Sequence, residues 1–599
     1  MSTQETPAFR LPDPVETGRI LSDLAQNAHA AMLATAERAA QPQVLPYDPM
    51  AVGKAFSDFA TSLMLNPLKL AETTARNMQE WGELWTSAAA RAMGQEAAPV
   101  IEPAKGDRRF SAPAWSDEPV YDYLKQAYLL AASQLQAMTA DADLPSDTKV
   151  KVDFFARRLI DALSPANYAH TNPEVVRKTL ETGGLNLMGG LSNLLQDVAQ
   201  GRELVSRRAP DAFELGVNIA ATPGAVVFQN DLLQLIQYAP TTEEVRARPL
   251  LFVPPLVNKY YLFDLTPKSS YLKWLVDQGH TVFVVSWVNP TEQHAAKDLK
   301  DYVLDGVVAS IDAALKATGQ EQVDLVSYCL GGTLSAIALG YLAATGRSDT
   351  VATATLIATL VDFKDLGDWS AFLGEQDVEA FNRYLDAKGY VEADHLAQLF
   401  STVRANDLIW SSVVKHYLLD EEARPSDLLW WFDDGSRIPA AMLQEYVRLM
   451  LLQNRLREPN GVTIDGVGID LGKVKSKVFV VALKDDHVAA WKDTYEGMKL
   501  FGGETRFLLG GSGHNAGMIN PPGAGKHGYW TASVKAQSGD AEAWLAAATR
   551  HADSWWPEWQ GWISKDAKGA PVPAVEREPG KGALPALEAA PGSYVKVKH

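Results

Sequence analysis

Three short stretches hold side chains suited to nucleophilic catalysis: "VDLVSYCLGGT" around Cys329, "KDDHVAAW" with Asp485, Asp486 and His487, and "GSGHNAGM" with His514. A thiol ionises more readily than a hydroxyl, and a thiolate exchanges readily with thioesters. An imidazole can take the thiol proton, and a carboxylate can hold that imidazole in the right orientation. Ser327-Tyr328-Cys329-Leu330-Gly331 has the form of a nucleophile elbow, G-x-S-x-G, with Cys in place of the nucleophilic Ser and Ser327 in place of the first Gly. Acid and His follow the nucleophile in the order that such elbows require. Cys329 is the single cysteine in 599 residues. A lone cysteine is ordinarily a small apolar core residue. Its place between a strand-like run and Gly331-Gly332 reverses that preference. Spacing alone does not separate Asp485 from Asp486 as the partner of His514. A further stretch, "FVPPLVNKYY", leaves a strand-like run where one oxyanion-hole N–H normally arises, so the amides of Val257 and Leu330 are the candidate donors.

These residues need elements to carry them. The runs "LLFVP", "TVFVVSW", "VDLVSY", "ATLIATL", "VFVVAL" and "TRFLLGG" are short and rich in β-branched residues, with helix-length segments between the first four. That pattern predicts buried strands of a mostly parallel sheet. The fold class is α/β: an α/β-hydrolase fold over residues 206–599. The stretch between the fourth and fifth runs is far longer than an ordinary connection and rich in Trp and Tyr. It predicts an inserted cap at about 362–446, with Trp410, Trp430, Trp431 and Tyr446 shielding the site. Before it, residues 1–205 read as an α-helical amino-terminal domain, in which Phe56, Phe59, Leu63, Trp81 and Trp85 recur at helical spacing. That stripe is expected in the packing of this domain, and "GQEAAPVIEPAKG" as a surface loop.

Composition removes other classes. Hydrophobic residues make up 47% of the chain, enough for one large core and a smaller second unit. A net charge of -18 without a long Lys/Arg block argues against a general nucleic-acid binder. One cysteine excludes an internal disulfide, and "MSTQETPAFRLPDP" has neither the basic nor the apolar region of a secretion signal, so a cytoplasmic location is expected. No run reaches the roughly 20 apolar residues of a spanning helix.

Motifs spread over nearly the whole chain carry a specific resemblance: "DRRFSAPAW", "LSPANYAHTNPE", "ETGGLNL", "TPGAVVFQNDLLQLIQY", "VPPLVNKYYLFDL", "SYCLGGT", "DLLWWFDDGSRIP", "DDHVAAW", "GSGHNAGMINPP", "SWWPEWQGWI" and "PGSYVKVKH". The chain resembles the class I polyhydroxyalkanoate synthases, the single-component type that polymerises short (R)-3-hydroxyacyl-CoA thioesters. The resemblance implies Cys329 as the acyl-carrying nucleophile, His514 as general base and Asp486, rather than Asp485, as the third catalytic residue. It also implies Trp431 near the active site, with Tyr328, His487 and Asn258 as further substrate-pocket candidates. No cofactor and no metal are implied. Expected partners are the CoA thioester, the growing polyester and its granule surface, a second copy of the chain and phasins. Departures from the family pattern are Ser327 for Gly, Phe432 for Asn, and the lack of Pro before Trp491. Two rival readings use the same residues differently: a thiol-dependent hydrolase on the same fold, and a noncatalytic granule-coating protein.

Overall fold

The computed structural model describes residues 13–39, 49–202, 212–422, 424–533, 539–565 and 570–598. The expected domain boundary at 205/206 lies outside the described residues. Two compact units are present, one formed by Met1–Ala209 with Asp368–Arg383 and Asp394–Arg424, the other by Pro210–Gly367, Tyr384–Ala393 and Pro425–His599.

Within the first unit the helices Pro14–Ala39, Pro49–Met64, Pro67–Ala92, Pro119–Ala140, Ser146–Ala162 and Leu185–Ala199 follow the breaks that Pro and Gly mark in the sequence. Pro67, Pro119 and Pro173 each open a helix, where the missing N–H costs nothing. The aromatic stripe is divided. Phe59 is buried with Ala55 and Val152, and Phe56 and Leu63 pack partly against them. The Trp81 indole donates to Gln134 Oε1 at 3.1 Å, while Trp85 is largely exposed beside Tyr123.

The insertion, expected as one cap at 362–446, is shared between the units. Its parts 368–383 and 394–422 pack with the amino-terminal helices. Phe154 is buried with Ala371 and Val403, and its ring meets Phe372 edge-on at 5.0 Å. Arg158 donates to the carbonyls of Thr402 and Val403, Lys151 pairs with Asp377, and the Tyr417 hydroxyl donates to Asp197 at 2.8 Å. Such contacts join residues more than two hundred positions apart. Local periodicity does not encode them.

The second unit is built on one sheet. Its strands are β1 (Gly224–Gln229), β2 (Leu233–Tyr238), β3 (Pro249–Val253), β4 (Thr281–Trp287), β5 (Val323–Tyr328), β6 (Val351–Ile357), β7 (Lys477–Leu483), β8 (Thr505–Gly510), β9 (Tyr529–Thr531), β10 (Thr549–His551) and β11 (Glu588–Ala589). They lie in the order β10-β9-β8-β7-β6-β5-β3-β4-β2-β1-β11. The six from β8 to β4 run parallel, and they are the six apolar runs of the sequence. All residues of β3, β4 and β5 are buried, the burial that a parallel sheet covered on both faces imposes. The strands outside this centre pair antiparallel.

The motif "SWWPEWQGWI" forms the helix Trp556–Lys565 and its lead-in, with Trp555, Trp556 and Trp559 fully buried. Each indole removes on the order of 150–250 Å² from water, about 4–6 kcal/mol of apolar burial. The indole N–H groups are also used. Trp555 donates to Gly517 O at 3.0 Å, Trp556 to Met518 O at 3.1 Å and Trp559 to Thr355 Oγ1 at 2.9 Å. The first two tie the loop after β8 to the core, and that loop carries His514.

Candidate active site

β5 ends at Tyr328, and the helix Leu330–Ala344 begins one residue later. Cys329 makes the turn with φ 53° and ψ -128°. A non-glycine residue held there costs about 1–3 kcal/mol and persists only when its surroundings enforce it. They do so through Cys329 N–H, which donates to Ile357 O at 2.9 Å, and Cys329 O, which accepts from Gly332 N–H at 2.9 Å. Strand and helix meet too closely for side chains. A Cβ on Gly331 would lie 2.3 Å from Pro254 O, and one on Gly332 would lie 1.9 Å from Thr359 Oγ1. Ser327, the departure from the G-x-S-x-G form, fits because its hydroxyl donates to Ser335 Oγ at 2.8 Å in the following helix.

Asp486 follows β7 and His514 follows β8, so adjacent parallel strands deliver the two side chains to the same end of the sheet. Asp486 Oδ2 lies 2.6 Å from His514 Nδ1, and Asp486 Oδ1 accepts from the Val488 and Ala489 N–H groups at 2.8 and 2.9 Å. The Asp486 side chain has no solvent exposure. Asp485 is exposed, and only its backbone is used here, donating to Ser512 O at 3.0 Å. Geometry therefore separates two carboxylates that spacing left equal. The His514 side chain is also hydrogen-bonded to that of Cys329. Burial works to lower the His514 pKa, but the charges of Asp486 and Cys329 and the hydrogen bonds to both outweigh it and raise it to about 10. A raised pKa favours the protonated form of the His514 ring.

Val257 lies in the loop after β3, and Leu330 is the first residue of the elbow helix. The N–H at such a helix start has no acceptor within the helix. Neither N–H finds an acceptor among the described residues, while Val257 O accepts from Ser436 N–H at 3.0 Å.

The pocket candidates fall in different places. Tyr328 is 1% exposed, and its hydroxyl donates to His514 O at 3.1 Å and Asn515 Oδ1 at 2.9 Å, holding the histidine loop. Trp431 is 3% exposed and donates to Lys259 O at 2.7 Å. Asn258 donates to Phe432 O at 3.4 Å, and His487 is half-buried beside Asp486. Tyr328 thus holds the loop of His514, and Trp431 holds the loop after β3. Tyr446, expected in the shield, hydrogen-bonds Thr333 one helical turn beyond Cys329, and its hydroxyl pKa is raised by burial and by the nearby Cys329 charge. Of the other shield residues, Trp430 meets Phe213 within the second unit and Trp410 belongs to the first.

Two family models match the chain, one described as "Poly-beta-hydroxybutyrate polymerase (PhaC) N-terminus" over residues 106–275, the other as "alpha/beta hydrolase fold" over residues 267–521. A poly(3-hydroxyalkanoate) polymerase of Methylorubrum extorquens is 41% identical over 589 residues, covering 96% of each chain. A poly(3-hydroxyalkanoate) polymerase subunit of Rhizobium meliloti is 39% identical over 91% of this chain and 88% of its own, and one of Cupriavidus necator is 37% identical over 90% of each.

Proposed function

The chain belongs to the poly(3-hydroxyalkanoate) polymerases, transferases that join hydroxyalkanoate units, and from that premise we propose that it polymerises (R)-3-hydroxyacyl-CoA through an acyl group carried on Cys329. The observation that supports this reading is the Cys329, His514, Asp486 chain of contacts at a strained elbow. The Cys329 thiolate attacks the thioester carbonyl, and the Val257 and Leu330 N–H groups receive the oxyanion. As the C–S bond to CoA breaks, the His514 imidazolium gives its proton to the departing thiolate. Neutral His514 then takes the proton of the growing chain's 3-hydroxyl as that oxygen attacks the acyl carbonyl held on Cys329, and the carbonyl–sulfur bond breaks to return the Cys329 thiolate. Asp486, with both oxygens engaged and no exposure, acts through His514 rather than on the hydroxyl itself.

The test is to incubate the purified protein with (R)-3-hydroxybutyryl-CoA and measure released CoA, free 3-hydroxybutyrate and insoluble polyester together. CoA and polyester are expected in matching amounts. Release of CoA with free acid alone would make the protein a hydrolase, and release of neither would leave the noncatalytic granule-coating reading.

Granule association belongs to the same proposal, with pairing into homodimers and phasin contact as its further parts. Among the described residues no helix is long and apolar enough to cross a membrane. The turn between the helices Pro49–Met64 and Pro67–Ala92 instead presents Met64, Leu65 and Leu68, each at least 75% exposed. Apolar side chains at such a turn suit peripheral contact with an apolar polyester. Deleting the whole region would also strip the partners of Ala371 and Val403, so point substitutions are the cleaner probe. Leu65→Glu with Leu68→Glu is expected to lower the granule-bound fraction in polymer-making cells while CoA release stays at the parent level. An unchanged bound fraction would assign the attachment elsewhere.

A further inference from the structure

The loop after β3 is fixed by the segment Trp431–Ser436, which straps it down at successive residues. Val257 O accepts from Ser436 N–H, Asn258 pairs with Gly435 in an antiparallel bridge, and Lys259 O accepts from the Trp431 indole. Beneath these contacts Lys259 Nζ lies 2.7 Å from Asp434 Oδ1, and the Tyr261 hydroxyl donates to Asp434 Oδ2 at 2.7 Å. The Lys259 and Asp434 side chains are only 4% and 7% exposed. A buried ion pair is a poor source of stability, because desolvation cancels most of the Coulomb gain. What it does supply is directional: two charge-assisted contacts that hold one backbone register against another. Two residues before Lys259 stands Val257, whose N–H must sit within about 0.5 Å of its working position to receive an oxyanion.

We propose that the buried Lys259–Asp434 pair, with Tyr261, is a positioning device that fixes the Val257 N–H for oxyanion stabilisation. It touches neither thiol nor imidazole. Its loss should slow only steps in which a carbonyl oxygen gains charge. This rests on the proposed roles of Cys329 and Val257, and it separates two reactions of one thiol. Acylation by a thioester passes through an oxyanion, whereas alkylation by iodoacetamide is a displacement at saturated carbon and forms none.

The experiment uses full-length Asp434→Asn, which keeps the shape and one acceptor oxygen but removes the charge and turns the second acceptor into a donor. Single-turnover acylation of Cys329 by (R)-3-hydroxybutyryl-CoA is expected to fall roughly 10- to 100-fold, the range set by a misplaced or lost oxyanion donor. The iodoacetamide rate at Cys329 is expected to stay at the parent value, and KM is expected to stay there too while kcat falls. If both rates fall in parallel, the pair supports the fold or the thiolate and the inference is wrong; if neither falls, it is equally wrong. Should Asp434→Asn not fold, Tyr261→Phe, which keeps the ion pair and removes one hydrogen bond, must show the same selectivity at smaller size. A parent protein that is never acylated at Cys329 would instead overturn the proposed function on which this inference depends.

Discussion

Cys329→Ala is expected to abolish polymer synthesis, lowering the rate by roughly 10⁴-fold or more, as removal of a covalent nucleophile does in other triads. The fold should survive. The Cys329 side chain is only partly buried, and the strained turn is held by backbone bonds to Ile357 and Gly332 that do not use the sulfur. Cys329→Ser keeps a nucleophilic atom in place but asks His514 to ionise a hydroxyl, a far weaker acid than a thiol, so it too should be severely impaired. Circular dichroism and thermal melting of both variants should match the parent. Polymer formation by the alanine variant near the parent rate would remove the covalent mechanism altogether.

His514→Gln has the second largest expected effect, because acylation and elongation both pass their protons through this ring. Both should fall by at least about 10³-fold. Asp486→Asn should act differently in degree. With the carboxylate charge gone, burial is opposed by less, and the His514 pKa must drop from its raised value. A weaker base hurts most where the acid is weakest. Acylation starts from a thiol and should retain a measurable rate, whereas elongation must deprotonate a 3-hydroxyl and should suffer more, by roughly another tenfold. The check is single-turnover acylation and steady-state polymerisation on each variant, with the His514 ring followed by NMR across pH. A His514 titration unmoved in Asp486→Asn, alongside lost elongation, would mean that Asp486 does not act through the imidazole.

Much of this site was legible in the sequence, for identifiable reasons. The six parallel strands were readable because burial on both faces forces continuous apolar, β-branched runs such as Thr281–Trp287. The elbow was readable because close approach of strand and helix demands Gly331 and Gly332. The antiparallel strands β1 and β2, beside the parallel centre, were not read as strands. Gln234 and Gln237 interrupt their apolar pattern, yet both are buried, Gln234 bonded to Glu588 and Ser593 and Gln237 to Arg577 O. Those partners come from the far end of the chain. The division of the insertion between two units was hidden for the same reason, since Phe154 meets Phe372 only in space. Spacing left Asp485 and Asp486 equivalent and only the resemblance preferred Asp486; the turn after β7 buries Asp486 and exposes Asp485. Trp431 was expected near the site, from the aromatic-rich insertion and from the resemblance. Its indole N–H donates to Lys259 O, a contact with no local sequence signal.

The central claim is that the acyl group resides on Cys329 during synthesis. Its most direct test is a single turnover with acyl-labelled (R)-3-hydroxybutyryl-CoA, quenched in acid, digested and mapped by mass spectrometry. Stoichiometric CoA release is expected, with the hydroxybutyryl mass on the peptide containing Cys329 and lost on treatment with hydroxylamine. Stoichiometric CoA release with the label on another residue, or with all of it free in solution while polymer still forms, would contradict it.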